Sequence, residues 1–114
     1  MIKIQNSTLD KKEYDEYKKY LDLADSQFNS EEYKDAIGNY YNAFKYAIKR
    51  NPVELCKIAR CYYGMNDIVS AIKMYEVAIN EFMYPDEILF FMELLLFNKD
   101  YEKVIKYSNE YEKY

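Results

Sequence analysis

The sequence predicts an all-α protein, a right-handed superhelical array of three helix-turn-helix units with six helices. Three observations carry the prediction. First, one pattern recurs along the chain: Tyr33-x-x-Ala36-Ile37-x-x-Tyr40-x-x-Ala43-Phe44, then Ile68-x-x-Ala71-Ile72-x-x-Tyr75-x-x-Ala78-Ile79, then the weaker Tyr101-x-x-Val104-Ile105-x-x-Ser108-x-x-Tyr111. Ala36 and Ala71 are 35 positions apart and Ala71 and Val104 are 33 apart, a spacing that marks stacked helical pairs. Second, within each repeat the apolar residues fall at helical intervals. Third, turn signals separate the segments, and no stretch alternates in the two-residue rhythm of a strand.

Each element follows from its own residues. Ser7-Thr8-Leu9-Asp10 fits a capping box, leaving residues 1–7 frayed and flexible. Tyr14, Tyr17, Leu21, Ala24 and Phe28 then hold a helical period to about Asn29. Asn29-Ser30 ends that helix and is expected to cap the next, with Glu31 and Glu32 at its positive end. The second helix is expected over about 31–49. Gly38 lies inside it at a cost of about 1 kcal/mol relative to Ala, which predicts close approach of a neighbouring backbone. Asn51-Pro52 breaks the chain, and Pro52 suits the first position of a third helix holding Leu55, Ile58, Ala59, Tyr62 and Tyr63. Gly64-Met65-Asn66-Asp67 is a turn ending in a ready N-cap, and the fourth helix follows to about Met83. Tyr84-Pro85-Asp86 repeats the proline break. The fifth helix, 89–97, is apolar nearly all round, and after Asn98-Lys99-Asp100 the sixth begins at Tyr101. Ala71 and Ala78 read as clearances for neighbouring helices.

The totals bound the function. At 114 residues the chain is read as one domain. A net charge of −4 with both signs interspersed argues against nucleic acid, whose affinity is built from clustered Lys and Arg. The 15 Tyr are read as half-buried core, since a base-stacking surface needs basic residues between its aromatics. Met1-Ile2-Lys3-Ile4-Gln5-Asn6 is too polar and short for a signal peptide, and the longest apolar run, 88–97, is far below the roughly 20 residues that span a bilayer. Cys56 and Cys61 stand about 140° apart on a helix, which precludes a shared metal or bridge; they read as apolar fillers in a reducing, cytoplasmic setting. An enzyme is not expected. The chain has no His, no Gly-rich phosphate loop, and no Ser or Cys beside a base. Asp15-Glu16 and Glu31-Glu32 read as solvated helix faces. No cofactor or metal is implied.

These residues resemble the tetratricopeptide repeat family. The resemblance rests on Tyr20, Leu23, Ala24, Tyr33, Ala36, Tyr40 and Ala43 in unit one, and on Leu55, Ile58, Ala59, Tyr62, Ile68, Ala71, Tyr75 and Ala78 in unit two. It implies units at about 17–51, 52–84 and 85–114. Pro52 and Pro85 fall a few residues later than the family's closing proline, implying longer second helices. Unit three departs, with Met92, Val104, Ser108 and Tyr111 at the family's small and aromatic positions, and reads as a terminal unit.

The resemblance further implies a concave groove lined by the first helices, taking a peptide or helix. Its positions here are Lys18, Leu21, Asp25, Phe28 and Asn29; Val53, Cys56, Arg60, Tyr63 and Gly64; and Asp86, Leu89, Glu93, Leu96 and Phe97. The family's clamp for a C-terminal carboxylate would use Leu21, Asp25, Lys57, Asp86 and Phe90. Only Lys57 is basic, so chaperone-tail binding is not expected. The expected partner is an apolar or amphipathic segment with some basic character, bound around Leu21, Asp25, Phe28, Cys56, Arg60, Tyr63, Leu89, Glu93, Leu96 and Phe97, as by an adaptor, assembly factor or dedicated chaperone. Asp25, Arg60 and Glu93 could equally pair with one another. The alternative function is a structural subunit that forms a homodimer through its apolar C-terminal unit.

Overall fold

The computed structural model describes residues 7–47 and 49–111, with backbone alone at 7–10. Six helices and no strand are present among the described residues. They are α1 (Ser7–Asn29), α2 (Tyr33–Phe44), α3 (Pro52–Gly64), α4 (Ile68–Phe82), α5 (Ile88–Phe97) and α6 (Tyr101–Glu110). The chain divides into two compact units, residues 1–51 and 52–114. The division falls at the Asn51-Pro52 break.

In the first unit α1 packs along α2. Ala24, Ala36, Tyr40 and Ala43 are fully buried. The Tyr40 hydroxyl donates to Asp25 Oδ1 at 2.5 Å, and Asn39 Nδ2 donates to Gln27 Oε1 at 2.8 Å. The capping box expected of Ser7 and Asp10 lies outside the described side chains.

Three expectations for α2 need correction. It stops at Phe44 rather than near residue 49. Its end tightens into three-residue hydrogen bonds, with Lys45, Tyr46 and Ala47 N–H donating to the Asn42, Ala43 and Phe44 carbonyls. The tightened turn lays Tyr46 flat on Tyr20, ring centres 6.0 Å apart and 9° from parallel. Ser30 does not cap α2. Glu32 holds that position without a side-chain bond, because Ser30 and Glu31 are consumed in closing α1. Gly38 meets no approaching backbone: nothing lies within 4 Å of where a Cβ would stand. Leu23 is also exposed rather than core.

In the second unit the register of the first recurs. Ala71, Tyr75 and Ala78 on α4 are buried, as are Leu55, Ile58 and Ala59 on α3. Pro52 opens α3 as expected. Asp67 caps α4, its Oδ1 accepting from Ser70 N–H at 3.1 Å, and hydrogen bonding from Ser70, its hydroxyl first and then its backbone N–H, holds the carboxyl below the ordinary aspartate range. α5 buries Ile88, Phe91, Leu94 and Leu95. α6 is anchored by Tyr107, whose ring meets Phe91 edge-on at 4.9 Å and whose oxygen accepts from Asn80 Nδ2 at 3.0 Å. Lys103 pairs with Glu76 of α4 at 3.1 Å.

The turns inside the three helical pairs are built alike. Glu31, Asn66 and Lys99 each adopt a left-handed φ of 62–63°. The residue after each, Glu32, Asp67 or Asp100, donates its N–H five residues back, to Gln27, Tyr62 or Leu95, at 2.8–2.9 Å. Glu31, Asn66 and Lys99 themselves donate three residues back, to Phe28, Tyr63 and Leu96. This paired closure is the Schellman motif. The turns stand 35 and 33 positions apart, the same spacing as the sequence repeat.

Candidate functional site

Residue by residue, α5 is Ile88-Leu-Phe-Phe-Met-Glu-Leu-Leu-Leu-Phe97, with Glu93 its one charge. A helix that short packs one face. The opposite face carries Leu89, Glu93, Leu96 and Phe97, spaced four, three and one residues apart. Leu89 is 62% exposed, Leu96 50% and Phe97 76%. Four of the residues expected to form a groove thus share one uncovered helical face.

Beside that face, within the second unit, lies a cleft of about 530 Å³. The end of α3 (Tyr63, Gly64), the start of α4 (Ile68) and α5 (Phe90, Glu93, Phe97) line it. Phe90 organises its floor. The ring of Tyr63 meets Phe90 edge-on at 5.2 Å and that of Tyr75 does so at 5.9 Å. The Arg60 guanidinium lies over Phe90 at 4.6 Å.

Arg60 itself is held. Its Nε donates to Glu87 Oε1 at 2.8 Å, and the same oxygen accepts from the Tyr75 hydroxyl at 2.6 Å. Burial first, and then the hydrogen bond to Glu87, push the Tyr75 phenol well above its ordinary range. Asp25 is bonded to Tyr40 within the first unit. In the second unit Arg60 pairs with Glu87, whereas Glu93 has no ion-pair partner among the described residues. Glu87 was not picked out by the sequence reading. The signal available was an acid just before α5, which by itself indicates only a favourable dipole contact.

Cys56 does not line a surface; it is 1% exposed. Burial, and next the charge of Glu87, raise its thiol to about 12. Cys61 is likewise buried and raised to about 12 by burial. Both are free thiols, which suits the filler reading and removes Cys56 from the groove. In the first unit Leu21 and Phe28 are half-buried and share with Asp25 one face of α1. The second unit brings Tyr63, Glu93 and Phe97 to one cleft, with Leu89 and Leu96 on the same helix face as Glu93.

Among the described residues no three His, Cys, Asp or Glu side chains converge as metal ligands, and no helix is long and apolar enough to cross a membrane. No family model, curated protein or solved structure matches the chain.

Proposed function

We propose that the chain is a protein-interaction module, and that the exposed face of α5 with its adjoining cleft holds an amphipathic helix or peptide of a partner protein. The observation that carries this reading is the exposure of Leu89, Leu96 and Phe97 on a ten-residue helix with one charge. Exposed apolar residues gathered on one face mark interaction sites. The cleft supplies a recess for an anchoring side chain.

Two further points support it. The spacing of 35 and 33 and the repeated turn closure agree with the tetratricopeptide resemblance, in which first helices line a peptide groove. The net charge of −4 disfavours nucleic acid as the partner. Burying three large apolar side chains yields about 1.5–3 kcal/mol each, and a partner's anchors add a similar amount. After association costs of about 4–15 kcal/mol, a few kcal/mol remain, so weak binding in the millimolar to micromolar range is expected. An adaptor, assembly factor or dedicated chaperone of the reducing cytoplasm fits such binding.

The test is titration with a labelled amphipathic peptide of about 18 residues, followed by anisotropy and by amide shifts. Shifts are expected on α3 and α5, with binding weakened about tenfold by Phe97→Ser. A peptide that binds Phe97→Ser as tightly as wild type sinks the reading.

Self-association is the second reading, favoured by one observation on α6. Ile105 is 62% exposed, whereas Ile72, its equivalent one repeat earlier, is 3% exposed. Sedimentation at two concentrations decides it, because a strict monomer leaves that face without a second copy.

A further inference from the structure

The partner's charge can be read from the face that would receive it. Glu93 projects from the middle of the exposed face of α5, four residues from both Leu89 and Phe97, and lines the cleft. Among the described residues no ion pair or hydrogen bond ties its carboxylate. Arg60, whose guanidinium lies over Phe90 of the cleft lining at 4.6 Å, is committed to Glu87 at 2.8 Å. Recruiting it would strip Glu87 of its cation and expose Phe90.

In the free protein Glu93 is exposed and water solvates it. An apolar segment laid across Leu89, Leu96 and Phe97 would displace that water. A carboxylate desolvated without a cation opposes binding strongly, whereas one met by a cation does not. The face would therefore reject an uncharged or acidic amphipathic helix and accept one whose apolar stripe is flanked by Lys or Arg.

We infer that Glu93 is the specificity-determining residue of this face, and that the partner is an amphipathic segment with a basic side chain beside its apolar anchors. The inference rests on the docking reading above and assigns to Glu93 the preference for a basic partner that the sequence only suggested.

The experiment uses the full chain and three amphipathic helical peptides with one apolar stripe. They differ only in carrying Lys, Gln or Glu at the positions flanking that stripe. Affinities are measured by anisotropy for wild type, Glu93→Gln and Glu93→Lys, at about 50 mM and about 500 mM salt. Wild type is expected to bind the Lys peptide about tenfold more tightly than the Gln peptide and to bind the Glu peptide weakest. Glu93→Gln should shrink that preference at least about fivefold, and Glu93→Lys should invert it. Equal binding of all three peptides by wild type overturns the inference while leaving the docking reading standing. So does a Lys preference that Glu93→Gln leaves intact, since that preference comes from net charge rather than from this carboxylate. If no peptide binds wild type, or Phe97→Ser changes none of the affinities, the docking reading falls and the inference falls with it.

Discussion

Replacing Glu87 with Ala should destabilise the second unit out of proportion to one side chain that is 28% exposed. Its Oε1 accepts from two donors, the Tyr75 hydroxyl at 2.6 Å and Arg60 Nε at 2.8 Å. Tyr75 is buried to 1% exposure, so Glu87→Ala leaves a hydroxyl without a partner where water does not reach. That costs about 1–3 kcal/mol. The Arg60 side chain is 42% exposed, so its lost ion pair adds about 0–1 kcal/mol. A negative charge at the start of α5 contributes about 0.3–1 kcal/mol more. The expected total is about 1–5 kcal/mol, and Glu87→Gln, which keeps an acceptor, should cost less. Urea unfolding followed by far-ultraviolet dichroism measures both. Tyr75→Phe supplies the discriminating arm. It should be costly in wild type and nearly neutral, or stabilising, in Glu87→Ala, because it removes the orphaned hydroxyl. A Glu87→Ala loss below about 0.5 kcal/mol, or a Tyr75→Phe cost unchanged between the two backgrounds, refutes the reasoning.

Three other predictions follow from features already described. Gly38→Ala should raise stability by about 1 kcal/mol, because open space surrounds the added methyl; a lower urea midpoint counts against the open position. Lys99→Gly and Glu31→Gly should each stabilise by about 1 kcal/mol by relieving a left-handed backbone, and Asn66→Gly should gain less, since Asn tolerates that conformation; equal effects at all three turns would contradict this. The Cys56 and Cys61 thiols, raised to about 12 by burial, should resist a disulfide reagent near pH 8 in the folded protein and react fully in concentrated guanidinium. Because the folded state keeps protons that the unfolded chain releases near pH 9, that stabilisation is complete below about pH 8.5 and is lost as pH rises toward 12. Replacing both residues with Ala should flatten this alkaline loss.

Much of the fold was legible because its punctuation is chemical. Pro52 opens α3, Asp67 caps α4, and Asn98-Lys99-Asp100 separates α5 from α6. The end of α2 was not legible: residues 45–49 contain no breaker, and the helix yields there to a tightened turn and the stacking of Tyr46 on Tyr20. The resemblance put Leu89, Glu93, Leu96 and Phe97 in one groove, and they do share an exposed face of α5. It put Cys56 of α3 in that groove too, because matching positions to a family pattern does not tell which of them packing buries. Glu87 lies 27 residues beyond Arg60, and no local rule pairs residues at that distance. The emptiness around Gly38 is a property of the neighbours it lacks, which a single helix cannot announce.

The alike turns have a kinetic consequence. Their closing hydrogen bonds reach back no more than five residues, so joining two helices commits little loop entropy. Each pair can therefore nucleate from neighbours in sequence, and such topologies fold early and fast. During synthesis the α1–α2 pair is complete before residue 52 has been added, and it can begin to form once it clears the ribosome. A fragment of residues 1–51 should accordingly show helical dichroism by itself, with refolding on the microsecond to millisecond scale; a fragment that stays unstructured would mean that the pair forms only with the rest of the chain.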